Sequence, residues 1–138
     1  MKKLIQFFSV IILLSAQSCG KEGNYIDDVP VDISITANRF TELTGAGGYV
    51  LLKGGVAGII LYRTETGQLV AYDRCSTYNP DGKCAVNVNE PSTIATDPCS
   101  DSFFNLKDGS GSSLHGPATR PLKKYLVTET SSQIRIYN

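Results

Sequence analysis

The sequence predicts an all-β domain. No stretch repeats apolar residues at helical spacing, whereas short runs of period two recur between clusters of Gly, Pro, Asn and Asp. Thirteen glycines, seven tyrosines, one methionine and no tryptophan suit a turn-rich β chain better than a helical one. Charged residues at 19 % and apolar residues at 41 % argue against disorder. The 138 residues leave room for one domain behind a leader.

Lys2 and Lys3 followed by the apolar run Leu4 to Leu14 read as a secretory signal, because the run is too short to span a bilayer. The stretch Leu14-Ser15-Ala16-Gln17-Ser18-Cys19 resembles a bacterial lipoprotein lipobox. That resemblance implies cleavage after Ser18 and a lipid on Cys19, which anchors a chain without a transmembrane helix. Residues 1–18 are therefore assigned to the signal peptide. Residues 19–30, with Gly20, Gly23, Asp27, Asp28 and Pro30, are assigned to a tether. Gly20 stands where an inner-membrane retention aspartate would be expected, so the resemblance implies an outer-membrane lipoprotein, facing the periplasm or the cell surface. The whole chain has thirteen basic and thirteen acidic residues; without Lys2 and Lys3 it is left with two net negative charges. A balance of that sign argues against nucleic acid as a partner.

The domain is assigned to residues 31–138. Val31, Ile33 and Ile35 alternate with Asp32, Ser34 and Thr36 as a half-buried strand. Gly45, Gly47 and Gly48 break the chain before a strand over Tyr49 to Leu52. Gly54-Gly55 turns it into Val56–Arg63, whose continuous apolar character marks a strand covered on both faces. Glu65-Thr66-Gly67 is a tight turn into Gln68–Asp73, which makes a hairpin. Arg74 to Lys83 is a turn-rich loop. Cys84, Val86 and Val88 alternate as a short strand that turns near Glu90-Pro91 and returns over Ile94 to Asp97. A second loop holds Pro98 to Ser102, and Phe104 and Leu106 enter the next strand. Ser110 to Ser113 reads as flexible loop. Tyr125 to Thr128 and Ile134 to Tyr137 are the last strands, joined at Ser131-Ser132.

The C-terminal half resembles the Rieske iron–sulfur family. That family's pattern is Cys-x-His in a first loop, a β-hairpin, then Cys-Pro-x-His-Gly-Ser-x-Phe-Asp-Leu, a Gly-Pro-Ala segment and Pro-Leu-x-x-Tyr-x-Val. This chain has Cys75-Ser76-Thr77, then Asp97-Pro98-Cys99-Ser100-Asp101-Ser102-Phe103-Phe104-Asn105-Leu106. It continues with Gly116-Pro117-Ala118 and Pro121-Leu122-Lys123-Lys124-Tyr125-Leu126-Val127. The resemblance covers about residues 68 to 138. It implies a Rieske-like fold of antiparallel sheets with a small loop-bearing subdomain around residues 75–106. It also implies burial of Phe104, Leu106, Tyr125 and Val127.

A Rieske cluster holds one iron by two thiolates and the other by two imidazoles. Carried over residue by residue, the ligand positions fall on Cys75, Thr77, Asp97 and Ser100. Only Cys75 matches. The chain has one histidine, and the cluster needs two. No cofactor and no catalytic residue are therefore assigned. The resemblance pairs Cys84 with Cys99 in a disulfide, with Cys75–Cys99 as the rival pairing; strand pairing about the Glu90-Pro91 turn sets Cys84 opposite Asp97, with Cys99 diagonally near. A zinc site from Cys75, Cys84, Cys99 and His115 lacks the short Cys-x₂-Cys spacing of zinc knuckles, so no metal is assigned. His115 reads as an exposed loop residue. The functional expectation is a non-enzymatic, lipid-anchored envelope module without a cluster, binding an unidentified protein or glycan, or serving structurally. The alternative is a Rieske-type [2Fe–2S] electron carrier.

Overall fold

Ten strands form two antiparallel sheets in a computed structural model that describes residues 25–138. The strands are β1 (Asp32–Thr36), β2 (Tyr49–Leu52), β3 (Ile59–Arg63), β4 (Leu69–Asp73), β5 (Asn87–Val88), β6 (Ile94–Thr96), β7 (Phe103–Asn105), β8 (Ser113–His115), β9 (Lys124–Glu129) and β10 (Gln133–Tyr137). The larger sheet has the order β1-β10-β9-β4-β3-β2, and the smaller one β5-β6-β7-β8. The only helical turns among the described residues are short 3-10 segments at Ala37–Arg39, Thr41–Thr44 and Pro80–Gly82. The all-β expectation therefore holds. The expected signal peptide and the lipidation of Cys19 lie outside the described residues.

The hairpin β3–β4 is a wall between two cores. Ile59, Leu61 and Ala71 pack with Val31, Leu43, Tyr125, Ile134 and Ile136 on one side. Ile60, Tyr62 and Tyr72 pack with Val86, Ala95, Phe104, Leu106 and Leu122 on the other. Successive side chains of a strand point to opposite faces, so the unbroken apolar run Ile59-Ile60-Leu61-Tyr62 supplies both cores at once. Each such residue contributes about 1.5–3 kcal/mol by leaving water. Phe104, Leu106 and Tyr125 are buried as the resemblance implies, and Val127 is half-buried against the larger core.

Four local expectations need correction. The strand expected to begin at Val56 begins at Ile59, because the Val56 and Ala57 amides turn to the Asp73 carboxylate and Gly58 N–H closes a turn onto Gly54. The segment expected to be flexible, Ser110 to Ser113, is tied down at both ends. Asn105 N–H donates to the Ser112 carbonyl, Leu122 N–H donates to the Gly111 carbonyl, and β8 starts at Ser113. His115 is consequently a strand residue, although an exposed one.

The β5–β6 register is displaced by two residues from a turn centred on Glu90-Pro91. Asn89 N–H donates to the Ile94 carbonyl, closing a four-residue turn that contains Ser92 at a positive φ of 66°. Asn87 pairs with Thr96, so extending the register sets Cys84 across from Cys99 itself rather than from Asp97. Finally, the end of the expected tether is packed. Ile26 is buried, and the Tyr25 hydroxyl donates to the Pro121 carbonyl at 2.7 Å.

Candidate functional site

Three loops meet at one end of the wall. Loop 1 (74–83) follows β4, loop 2 (97–102) follows β6, and loop 3 (116–123) connects β8 to β9. A buried carboxylate organises the root of loop 1. Asp73 accepts from Val56 N–H at 2.6 Å, Ala57 N–H at 3.2 Å, Cys75 N–H at 2.8 Å and the Tyr125 hydroxyl at 2.6 Å. Four donors on one carboxylate offset the cost of burying its charge. The Tyr125 hydroxyl is held protonated far above its usual range by burial and by this hydrogen bond to Asp73.

A second buried carboxylate joins loops 1 and 2. Asp97 accepts from the Ser76 hydroxyl at 2.6 Å, the Ser100 hydroxyl at 2.6 Å and Cys99 N–H at 2.9 Å. The Ser100 hydroxyl also lies 3.0 Å from the Ser102 hydroxyl, which accepts from Ala118 N–H in loop 3 at 3.1 Å. Thr77 completes the connection by donating its hydroxyl to the Arg120 carbonyl at 2.7 Å. Loop 3 makes its own close approach at Gly116, whose φ is +92° and whose missing Cβ would overlap the Asp101 backbone. Only glycine tolerates both conditions.

Cys84 and Cys99 are bridged, with Cα atoms 6.3 Å apart, a normal disulfide span. The bridge lies at the surface and fastens the start of the small hairpin to loop 2. Cys75 is free and fully buried, which decides against the Cys75–Cys99 pairing. Burial pushes its thiol up to about 11, with the negative charge of Asp73 adding to the shift. A buried thiol of that kind is a poor nucleophile.

The four degenerate positions therefore surround one tip, but each is committed elsewhere. Cys75 is a protonated core thiol, Thr77 a donor to loop 3, and Asp97 and Ser100 are hydrogen-bonded to each other. His115 stacks on Phe103, with ring centroids 5.6 Å apart, in the edge strand β8. This donor set does not fit a [2Fe–2S] cluster, which needs two thiolates and two imidazoles converging from the two loops. Nor does it fit the four-residue zinc set. Among the described residues, one group of three metal-ligand atoms lies within 4.8 Å: Cys84, Asp97 and Cys99. The disulfide takes both of its thiolates.

Sequence reasoning missed Asp73, Ser76 and Ser102. An acid closing the apolar strand Leu69-Val70-Ala71-Tyr72 immediately before a cysteine loop was the available signal for Asp73. Nothing in the spacing distinguishes Ser76 or Ser102 from ordinary loop serines.

Comparison with solved structures identifies the fold. The plasma membrane Rieske protein of the cyanobacterium Synechocystis PCC 6803 superposes with a TM-score of 0.54 at 23 % identity, over 64 % of this chain and 85 % of that one. The fold is Rieske-like. Two further matches are looser. Carbazole 1,9a-dioxygenase, in a complex of reduced oxygenase with oxidized ferredoxin, gives a TM-score of 0.47 at 20 % identity over 67 % of this chain and 82 % of that one. A Mycobacterium tuberculosis protein described as an NADH-dependent nitrite reductase small subunit gives 0.46 at 20 % identity over 80 % and 97 %. No family model matches the chain, and no curated protein matches it. Within this Rieske-like fold, loops 1 and 2 are joined by the Asp97 network.

Proposed function

We propose that this chain is a lipid-anchored outer-membrane protein whose Rieske-like domain works without a cluster, as a binding or structural module and not as an enzyme. The observation that carries the reading is the saturation of Asp97 by Ser76, Ser100 and the Cys99 amide. At the place where two loops of this fold present metal ligands, the side chains bind one another. A neutral hydroxyl at Thr77 and another at Ser100 are poor substitutes for imidazole. The disulfide and the Thr77–Arg120 contact keep the loops in a fixed shape, which suits recognition. The lipoprotein part of the reading is supported by the order of Lys2-Lys3, apolar run, small residues and Cys19.

Purification under anaerobic conditions tests the domain reading. The protein should be colourless, with neither stoichiometric iron nor acid-labile sulfide. A visible spectrum with bound iron would replace this reading with the electron-carrier alternative. Cys19→Ala tests the anchor, since it should move the protein into the soluble fraction.

A further inference from the structure

The first described residues leave the domain at the loop tip. Tyr25 donates to the Pro121 carbonyl at 2.7 Å, and the Arg120 guanidinium lies 5.0 Å from the centre of its ring. Lys123 of loop 3 donates to the Asp27 carbonyl at 2.9 Å and pairs with Asp28 at 3.0 Å. Arg120 in turn accepts from Thr77 of loop 1. The chain entry, loop 3 and loop 1 thus share one pole. The opposite pole is the β9–β10 turn at Thr130–Ser132, where Ala37 N–H donates to the Ser132 carbonyl. The six residues of β9 separate the two poles by about 20 Å.

Cys19 precedes Tyr25 by six residues, a span of at most about 20 Å when fully extended. A domain of this size is roughly 35 Å across. A lipid on Cys19 therefore keeps the Tyr25 pole nearer the bilayer, because the far pole reaches the surface only when all six residues are fully extended along the domain. The near pole also carries side chains suited to that position. Tyr78, one residue beyond Thr77, is 45 % exposed, and Thr119 and Arg120 are exposed in loop 3. Tyrosine rings and guanidinium groups are favoured at the headgroup level, where one part of the side chain is apolar and the other polar.

We propose that the loop tip faces the membrane and rests on glycerophospholipid headgroups through Tyr78, Thr119 and Arg120. The inference depends on the anchored reading of Cys19 and narrows the occupant of the tip to the lipid surface.

The absence of tryptophan from the sequence supplies the experiment. Single variants Tyr78→Trp and Thr119→Trp report on the tip, and Ser131→Trp on the far pole. Each lipidated full-length protein is reconstituted in phosphatidylethanolamine–phosphatidylglycerol vesicles containing a nitroxide-headgroup lipid. Emission at the two tip positions should be quenched roughly threefold more than at position 131. Two tip reporters guard against one variant failing to fold. Equal quenching at the two poles, or stronger quenching at position 131, overturns the orientation while leaving the anchor intact. Failure of the wild-type protein to float with the vesicles overturns the anchor, and the orientation falls with it.

Discussion

The Ser76 hydroxyl of loop 1 donates to the Asp97 carboxylate of loop 2 at 2.6 Å, and both residues are fully shielded from solvent. This bond spans 21 positions of sequence and joins the two loops directly. Its other two partners are the Ser100 hydroxyl and the Cys99 amide, both from loop 2 itself.

Asp97→Ala should lower stability by about 3 kcal/mol, because two hydroxyls and an amide lose a charged acceptor. Asp97→Asn keeps an acceptor oxygen and should cost roughly half as much. Urea unfolding measures both. Equal stability of Asp97→Ala and wild type would remove the basis for a structural role of this carboxylate.

Removing the disulfide by Cys84→Ser with Cys99→Ser should destabilise the protein by about 3 kcal/mol on the loop-entropy model. Its sulfurs close a segment with a sequence separation of 15. Non-reducing peptide mapping should recover one linked peptide pair, joining Cys84 to Cys99. A linked Cys75 peptide would contradict the arrangement.

Cys75 predicts an alkaline loss of stability. Its thiol ionises near 9.0 in the unfolded chain and at about 11 when buried, so the folded state retains a proton that the unfolded state gives up. The stabilising contribution is complete below pH 9 and is lost as pH rises from about 9 through about 11. Tyr72 and Tyr125, both raised by burial, add their own losses above pH 10. Urea midpoints from pH 8 to 11 should therefore fall less steeply in Cys75→Ala than in wild type. Parallel curves would show that this thiol does not titrate as described.

Gly116→Ala should cost about 2–4 kcal/mol, combining a positive φ with overlap against the Asp101 backbone. Thermal unfolding provides the comparison. The control is Gly45→Ala, where a Cβ meets nothing within 4 Å and φ is ordinary. A similar melting temperature for both variants would argue against tight packing of loop 3 on loop 2.

The positions of several strands are readable locally, because strands such as Asp32–Thr36 and Gln133–Tyr137 alternate polar and apolar residues in the sequence itself. The resemblance paired Cys84 with the right cysteine, although the turn about Glu90-Pro91 was two residues too short and set Cys84 opposite Asp97. Features set by distant partners were not readable. Val56 and Ala57 look like strand residues until Asp73, seventeen and sixteen positions away, claims their amides. Tyr25 resembles a tether residue because its partners, Arg120 and Pro121, come almost a hundred positions later. The ligand positions were legible as an incomplete set, but their mutual hydrogen bonds were not, since serine rotamers leave no periodic trace.

The double-sided hairpin β3–β4 has a kinetic consequence. Ile60, Leu61, Ala71 and Tyr72 lie between two buried layers, so their amide protons are covered on both faces of the sheet. Their hydrogen–deuterium exchange should track global unfolding, whereas the short β5–β6 pair, held by few ladder bonds, should exchange through smaller openings. Exchange should thus divide the molecule into a slow partition and a faster small sheet, even though the disulfide lies on the faster side.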